Sequence, residues 1–317
     1  MRHENGESIP IALLGASGYA GQILHALLLH HPRMRPVIVE AREPDGATIA
    51  ICRDVAAAAL ALPDEVALRL SDALAGEGVK IIDLSSAQRT RDEIHYGLPE
   101  LFGPPPAGTS VVSNPGCYPT ATLLALVPLL RAGLIEPAVS VVGCSGTSGA
   151  GKALREDLHF SELFGNFFPY KVGQHKHSAE IALHLGAEVS LVTQVVPVVR
   201  GLAVTAFVRT EHEPAALLAC LQQAYAEAPW VTVLPEPGEG LGVRHVVGTH
   251  QAVLAVGPRK DGGVVPVFGA IDNLMRGAAS QALHNLNLWL DLPAHLGLPE
   301  PMGHVPDGTP GMSRAFA

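Results

Sequence analysis

Apolar positions along the chain fall into two rhythms. Ile9 to Leu14 is a short unbroken apolar run of the kind that forms a buried strand. A glycine-rich stretch follows, and then Ile23, Leu24, Leu27 and Leu28 recur at helical spacing. "RPVIVEAR", "VKIIDLSS" (Val79 to Ser86) and "SVVSNPG" predict three further strands. Strands alternating with helical segments imply βαβ units and a mostly parallel sheet. The rhythm changes after Cys117. "AVSVVGCSGTSGAGK" reads as a strand running into a glycine–serine loop. "VSLVTQVVPVVRGLAVTAFVRTE" is rich in β-formers and broken at Pro197. "EPAALLACLQQAYAEAP" reads as a helix, and "HQAVLAVGPR" and "GVVPVFGAID" as strands. "NLMRGAASQALHNLNLWL" predicts a long helix, and the Pro- and Gly-rich tail from Pro299 an irregular end.

Gly15-Ala16-Ser17-Gly18-Tyr19-Ala20-Gly21 sits between the first strand and the first helix. Glycines at such a turn let a backbone approach a pyrophosphate, and the helix start supplies N–H donors and a favourable dipole. The fold expectation is therefore α/β: a Rossmann dinucleotide-binding domain plus an α+β catalytic domain with a largely antiparallel sheet. The change of rhythm after Cys117 sets the boundary between the two at 116/117; the resemblance given below implies an NADP-binding domain over 1–116, completed by the C-terminal helix region 274–317, and a catalytic and dimerisation domain over 117–273. The ribose reader of such a domain lies about 20 residues past the loop. Glu40 suits NAD there. Arg42, on the same side by strand alternation, suits a 2′-phosphate, and the sequence leaves the choice open.

Composition narrows the classes. Of 317 residues, 48% are hydrophobic, ample for two domains with large cores. Lys plus Arg number 21 against 30 Asp plus Glu, with no basic stripe, so no nucleic-acid partner is expected. No apolar run approaches a membrane span and the N-terminus lacks a signal-peptide pattern, so neither a membrane nor export is expected. The four cysteines, Cys52, Cys117, Cys144 and Cys220, form no C-x-x-C pair. That argues against a disulfide framework and a metal site and for a reducing cytoplasm.

Cys117 is singled out by its neighbours. Asn114-Pro115-Gly116 is a turn, Pro119 suits a first helical turn, and Leu123, Leu124, Val127 and Leu130 supply an apolar helix face, with Pro128 expected to kink or end it. A thiol at a helix start is biased toward thiolate, the form that attacks acyl carbon. The other three cysteines lack that setting and read as small buried hydrophobes. In "GQHKHSAEI", His175 and His177 suit general acid/base work beside such a thiolate. His175, nearer the Gly173 turn, is the expected acid/base, with His177 orienting it or the substrate. "CSGTSGAGK" offers backbone N–H groups to an anion, and Lys152 adds charge.

Together "GASGYAG", "SNPGCYPTA", "SGTSGAGK", "PYKVGQHKHSAEI", "VPVVRG" and "DNLMRGAASQALHNLNL" resemble the N-acetyl-γ-glutamyl-phosphate reductases of arginine biosynthesis, in the family's order from about residue 9 to 291. The chain departs in a shortened "DLSSAQRTRDEIHYGLPEL", in Ala179 where proline is usual and in Lys152 where arginine is common. The resemblance implies a catalytic domain like that of aspartate-semialdehyde dehydrogenase and a C-terminal helix packed on the nucleotide domain. It implies Cys117 as nucleophile with His175 and His177 as the proton-handling pair. For NADP(H) it implies contacts from Gly15, Ser17, Gly18, Tyr19, Ala20, Gly21, Arg42, Ser85, Ser145, Gly146, Gly149 and Asn273. For the acyl phosphate substrate it implies Asn114, Lys152 and Arg200, and for assembly a homodimer or tetramer. The expected reaction is NADPH-dependent reduction of N-acetylglutamyl 5-phosphate to the semialdehyde through a Cys117 thioester. The alternatives are a carrier-linked aminoadipyl-phosphate reductase of lysine synthesis, an aspartate-semialdehyde dehydrogenase and a non-catalytic NADP-binding scaffold. The scarcity of basic clusters near Cys117 and His175 favours a free substrate over an acidic carrier.

Overall fold

In a computed structural model of the chain, which describes residues 8–259 and 262–299, the first apolar run is strand β1 (Ile9–Leu14). Helix α1 (Tyr19–Leu29) follows the glycine turn, then β2 (Met34–Val39) and α2 (Gly46–Arg53), whose start is capped by the Asp45 carboxylate accepting from Thr48 N–H at 2.8 Å. Next come β3 (Ala57–Leu60), α3 (Asp64–Gly76), β4 (Ile81–Asp83), β5 (His95–Tyr96), α4 (Pro99–Phe102) and β6 (Val111–Ser113). These strands form one parallel sheet in the order β2-β1-β3-β4-β6-β5. The chain passes from β1 to one side and returns to the other, so the order reverses at β1/β3, the place where open parallel sheets bind ligands.

The second sheet has seven strands. Helix α5 (Cys117–Arg131) leads into β7 (Ala138–Gly146), the short α6 (Phe160–Leu163), β8 (Phe168–Tyr170), α7 (His177–Leu185) and β9 (Glu188–Val196). Pro197 falls in the break before β10 (Leu202–Arg209). Helix α8 (Pro214–Ala224), β11 (Val231–Val233), β12 (Ala252–Val256) and β13 (Val264–Ile271) complete it. The order is β11-β12-β13-β10-β7-β9-β8. Pairs β12–β13, β13–β10, β10–β7 and β9–β8 are antiparallel, while β11–β12 and β7–β9 are parallel.

Pro128 does not end α5, which continues through it to Arg131. A proline at this place strands the carbonyl four residues back, that of Leu124. The Tyr225 hydroxyl donates to that carbonyl at 2.6 Å and replaces the missing bond.

By contacts, the chain divides into two compact units, residues 8–115 with 278–299, and residues 116–277. The expected long helix near the C-terminus begins instead as a π turn, Met275–Ala279, and becomes α9 (Ser280–Trp289). Leu283, Leu286 and Trp289 of α9 join Leu24 and Leu28 of α1 in one buried cluster of the first unit. The irregular tail expected beyond Pro299 lies outside the described residues. No helix among the described residues is long and apolar enough to cross a membrane.

Candidate active site

Two constructions carry chemistry, one in each unit. In the first, β1 and β2 run side by side with Leu14 opposite Val39, so Gly15 and Glu40 leave the same edge of the sheet. Gly15 has φ +90°, and a Cβ there would fall 2.2 Å from the Ala61 carbonyl oxygen. The fold itself thus demands glycine at 15. Gly18 is different. Its backbone is extended, and a Cβ would meet nothing closer than Gly15 O at 3.7 Å. Neither conformation nor internal packing requires glycine at 18, so the room above it is open. Gly18 is also the N-cap of α1 and supplies no side-chain cap, which leaves first-turn N–H groups facing outward. An open cradle over an uncapped helix start fits a dinucleotide pyrophosphate. Ser17, Tyr19 and Arg42 are exposed and Ala20 half-buried. β2 ends at Val39, so Glu40 and Arg42 lie in the loop beyond it and strand alternation does not orient them. The cradle predicts that Gly18→Val weakens NADPH binding at least tenfold in a fluorescence titration while Cys117 alkylation in the apoprotein is unchanged. Unaltered NADPH affinity would remove the loop from the cofactor site.

In the second unit, Cys117 opens α5 after the extended N-cap Gly116. The Gly116 N–H donates to Glu180 Oε1 at 2.8 Å. Glu180 is 1% exposed and sits in the first turn of α7, where the helix dipole favours a carboxylate. Its other oxygen lies 4.0 Å from His177 Nε2. One carboxylate is therefore bonded to the helix start that carries the thiol and stands 4.0 Å from the histidine that opens α7. His175 is also buried, and its Nδ1 accepts from the His177 backbone N–H at 3.2 Å. The two imidazoles lie 4.6 Å apart, with the Tyr118 ring edge-on to both at 5.6 and 5.9 Å. Burial, reinforced by the charges of Lys171 and Lys176, lowers the His175 pKa to about 4, so that ring is neutral at pH 7. Tyr170 packs on His175 at 5.6 Å and donates its hydroxyl to that of Tyr118 at 3.3 Å. Gly277, in the π turn, faces Cys117 so closely that a Cβ would come 2.6 Å from the Cys117 Cβ.

Several residues expected at the site are held elsewhere. Asn114 is fully buried, donating to Ala278 O at 3.1 Å and accepting from Asn285 at 3.2 Å. Ser85 donates its hydroxyl to Asp83 at 2.9 Å. Asn273 spans Gly201 N–H at 2.7 Å and the Ser148 hydroxyl at 2.9 Å, so it fixes the glycine–serine loop. Arg200 is paired at 2.7 Å with Asp272, which is fully buried and also accepts from Gly248, Leu274 and Met275 N–H groups. Ser145 and Gly146 end β7, buried, while Gly149 and Lys152 are exposed. Pattern reading missed the tie from Glu180 to Gly116, and Tyr118, Tyr170 and Gly277 as neighbours of the thiol. Only the position of Glu180 inside "GQHKHSAEI" was a usable signal. Among the described residues no group of three or more potential metal ligands occurs.

The family models that match are "Semialdehyde dehydrogenase, NAD binding domain" over residues 10–105 and "Semialdehyde dehydrogenase, dimerisation domain" over residues 117–273. Curated relatives named N-acetyl-gamma-glutamyl-phosphate reductase include that of Salinispora tropica, 38% identical over 92% of this chain and 97% of the relative. Those of Mycobacterium avium (35%, 91% and 96%) and Thermosynechococcus vestitus (33%, 93% and 98%) carry the same name. Among solved structures, aspartate semialdehyde dehydrogenase II of Vibrio cholerae has a TM-score of 0.74 at 18% identity, covering 90% of this chain and 99% of that one. The aspartate semialdehyde dehydrogenase of Francisella tularensis has a TM-score of 0.71 at 16% identity, covering 89% and 100%. At those identities the likeness concerns the fold.

Proposed function

This chain belongs to the N-acetyl-gamma-glutamyl-phosphate reductase family, and from that membership we propose that it reduces N-acetylglutamyl 5-phosphate to the 5-semialdehyde and phosphate with NADPH. The observation that carries the reading is the carboxylate of Glu180, bonded to the Cys117 helix start and 4.0 Å from His177. The Cys117 thiolate attacks the acyl carbon, the bond to the phosphate oxygen breaks, and phosphate leaves with the electron pair. Cys117 then carries the acyl group as a thioester. The nicotinamide dinucleotide, when bound, supplies hydride. His177 gives a proton to the substrate oxygen as hydride reaches the thioester carbon, and takes it back as the carbonyl re-forms, the carbon–sulfur bond breaks and the thiolate is restored. We give that task to His177 rather than His175 because His177 faces a carboxylate, while His175 is held neutral with its Nδ1 already accepting. The first-turn N–H groups of α5 lie at the thiol and suit a developing oxyanion.

We take NADP over NAD from Arg42, a cation exposed in the loop past the end of β2 and suited to a 2′-phosphate, and the assay below decides it against Glu40 in the same loop. The matched dimerisation domain supports self-association, and we take the assembly to be a homodimer or tetramer. The test is phosphate-dependent reduction of NADP⁺ or NAD⁺ with N-acetylglutamate semialdehyde, aspartate semialdehyde or a carrier-linked semialdehyde. The expected result is at least a tenfold higher kcat/KM for N-acetylglutamate semialdehyde with NADP⁺. A tenfold preference for the carrier-linked substrate would move the enzyme to lysine synthesis.

A further inference from the structure

A small, partly open pocket lies in the second unit, lined by Ser145 and Gly146 at the end of β7, Arg155 and Leu158, and Phe168 and Tyr170 of β8. Its Tyr170 wall is shared with the thiol site, since the same ring packs on His175 and its hydroxyl meets that of Tyr118. Burial raises the Tyr170 hydroxyl pKa; the Cys117 charge adds to the rise and the Arg155 charge opposes it. Arg155 is the one charged side chain on the pocket wall among the described residues. It forms a two-pronged pair with Asp157, two residues on, Nε to Oδ1 being 3.0 Å. That pair is about two-fifths exposed, 34% at Arg155 and 42% at Asp157. An exposed pair of this kind contributes little and yields readily to another carboxylate.

We propose that Arg155 is a specificity-determining residue whose guanidinium takes the α-carboxylate of an N-acylated amino-acid substrate, exchanging Asp157 for it. The proposal rests on the functional reading above and sharpens it. Of the two cations the sequence suggested for the substrate, Arg200 is already held by buried Asp272, while Lys152 is exposed and not on the pocket lining. Arg155 instead lines the pocket together with Tyr170, whose ring packs on His175 at 5.6 Å, so a carboxylate gripped there is held one ring away from the histidines beside Cys117. The remaining wall is apolar or backbone, from Leu158, Phe168 and Gly146. Asp157, the nearby carboxylate, is the group to be displaced. The pocket thus suits an uncharged amide beside the carboxylate better than a free ammonium, which needs a carboxylate of its own. A guanidinium presents its N–H groups in a fork that fits a carboxylate at two points.

The test separates binding from turnover. N-acetylglutamate is used as a protecting ligand against iodoacetamide at Cys117, and N-acetylglutamate semialdehyde as substrate. In the wild type, N-acetylglutamate slows alkylation and its α-methyl ester does not. In Arg155→Met, protection is lost and KM rises at least tenfold while kcat stays within threefold. Asp157→Asn leaves Arg155 in place and removes its competitor, so KM falls two- to fivefold, an outcome that a poorly folded variant does not produce. Full protection in Arg155→Met, equal protection by the α-methyl ester, or no protection of the wild type overturns the assignment whether or not turnover is seen. Absence of wild-type turnover with N-acetylglutamate semialdehyde, with protection intact, strikes the functional reading alone.

Discussion

Replacing Cys117 with serine is expected to lower turnover by roughly four orders of magnitude and to leave NADPH affinity unchanged. The size follows from the chemistry. A thiol near neutral pH offers a useful fraction of thiolate and is intrinsically nucleophilic, whereas a serine hydroxyl needs a base to attack at all. The selectivity follows from the fold, since Cys117 opens α5 in the second unit while the open cradle at Gly18 belongs to the first. Serine differs by one atom, so the packing against Gly277 and the Gly116–Glu180 bond are retained and folding is not the variable. The check is kcat with N-acetylglutamate semialdehyde, NADP⁺ and phosphate beside an NADPH titration. A serine enzyme keeping a tenth of wild-type activity would end covalent catalysis at this position.

The second large effect separates the two histidines. His177→Asn is expected to lower kcat by about 10²–10⁴-fold, the usual worth of a positioned proton-transfer group, and to erase the histidine limb of the pH–rate profile. His175→Asn is expected to keep that limb, because a group held near 4 does not titrate in the working range. His175 does report on stability. Its folded pKa lies below the unfolded value, so the unfolded chain binds more protons between about pH 4 and the ordinary histidine range near 6.5. Stability rises with pH across that window, and His175→Asn flattens the slope. Glu180→Gln keeps an acceptor for the Gly116 N–H but removes the charge facing His177, so it moves the limb without unfolding the helix start. Loss of the limb in His175→Asn and its survival in His177→Asn would reverse the roles.

How far the sequence carried varied with the reach of the interactions. β1, the glycine turn and α1 are legible because an apolar run, a glycine and a helical repeat are all local signals. β3 escaped notice: "AAAL" favours helix by propensity, and only burial between β1 and β4 makes it a strand. Pro128 misled because its compensation, Tyr225, lies 101 residues from the carbonyl it serves. The place of Cys117 at a helix start was legible from the turn before it. The tie from Glu180 to Gly116 spans 64 residues and joins a side chain to a backbone N–H, which leaves no periodic trace. The same holds for Asn114 and Arg200, whose residue types suited a ligand while their buried partners, distant along the chain, claimed them.

The contact between Gly277 and Cys117 sets a limit on improving this protein. A glycine inside a helical turn is an obvious target for stabilisation, since alanine there ordinarily gains about 0.5–1 kcal/mol. Here the added methyl would press on the Cβ that carries the Cys117 thiol, at 2.6 Å, with the Ile271 side chain close behind at 3.3 Å. Alanine at 277 therefore loses more to overlap than it gains in backbone entropy, and a library selected for thermal resistance alone would keep this helical glycine, because the start of the Cys117 helix is packed against it.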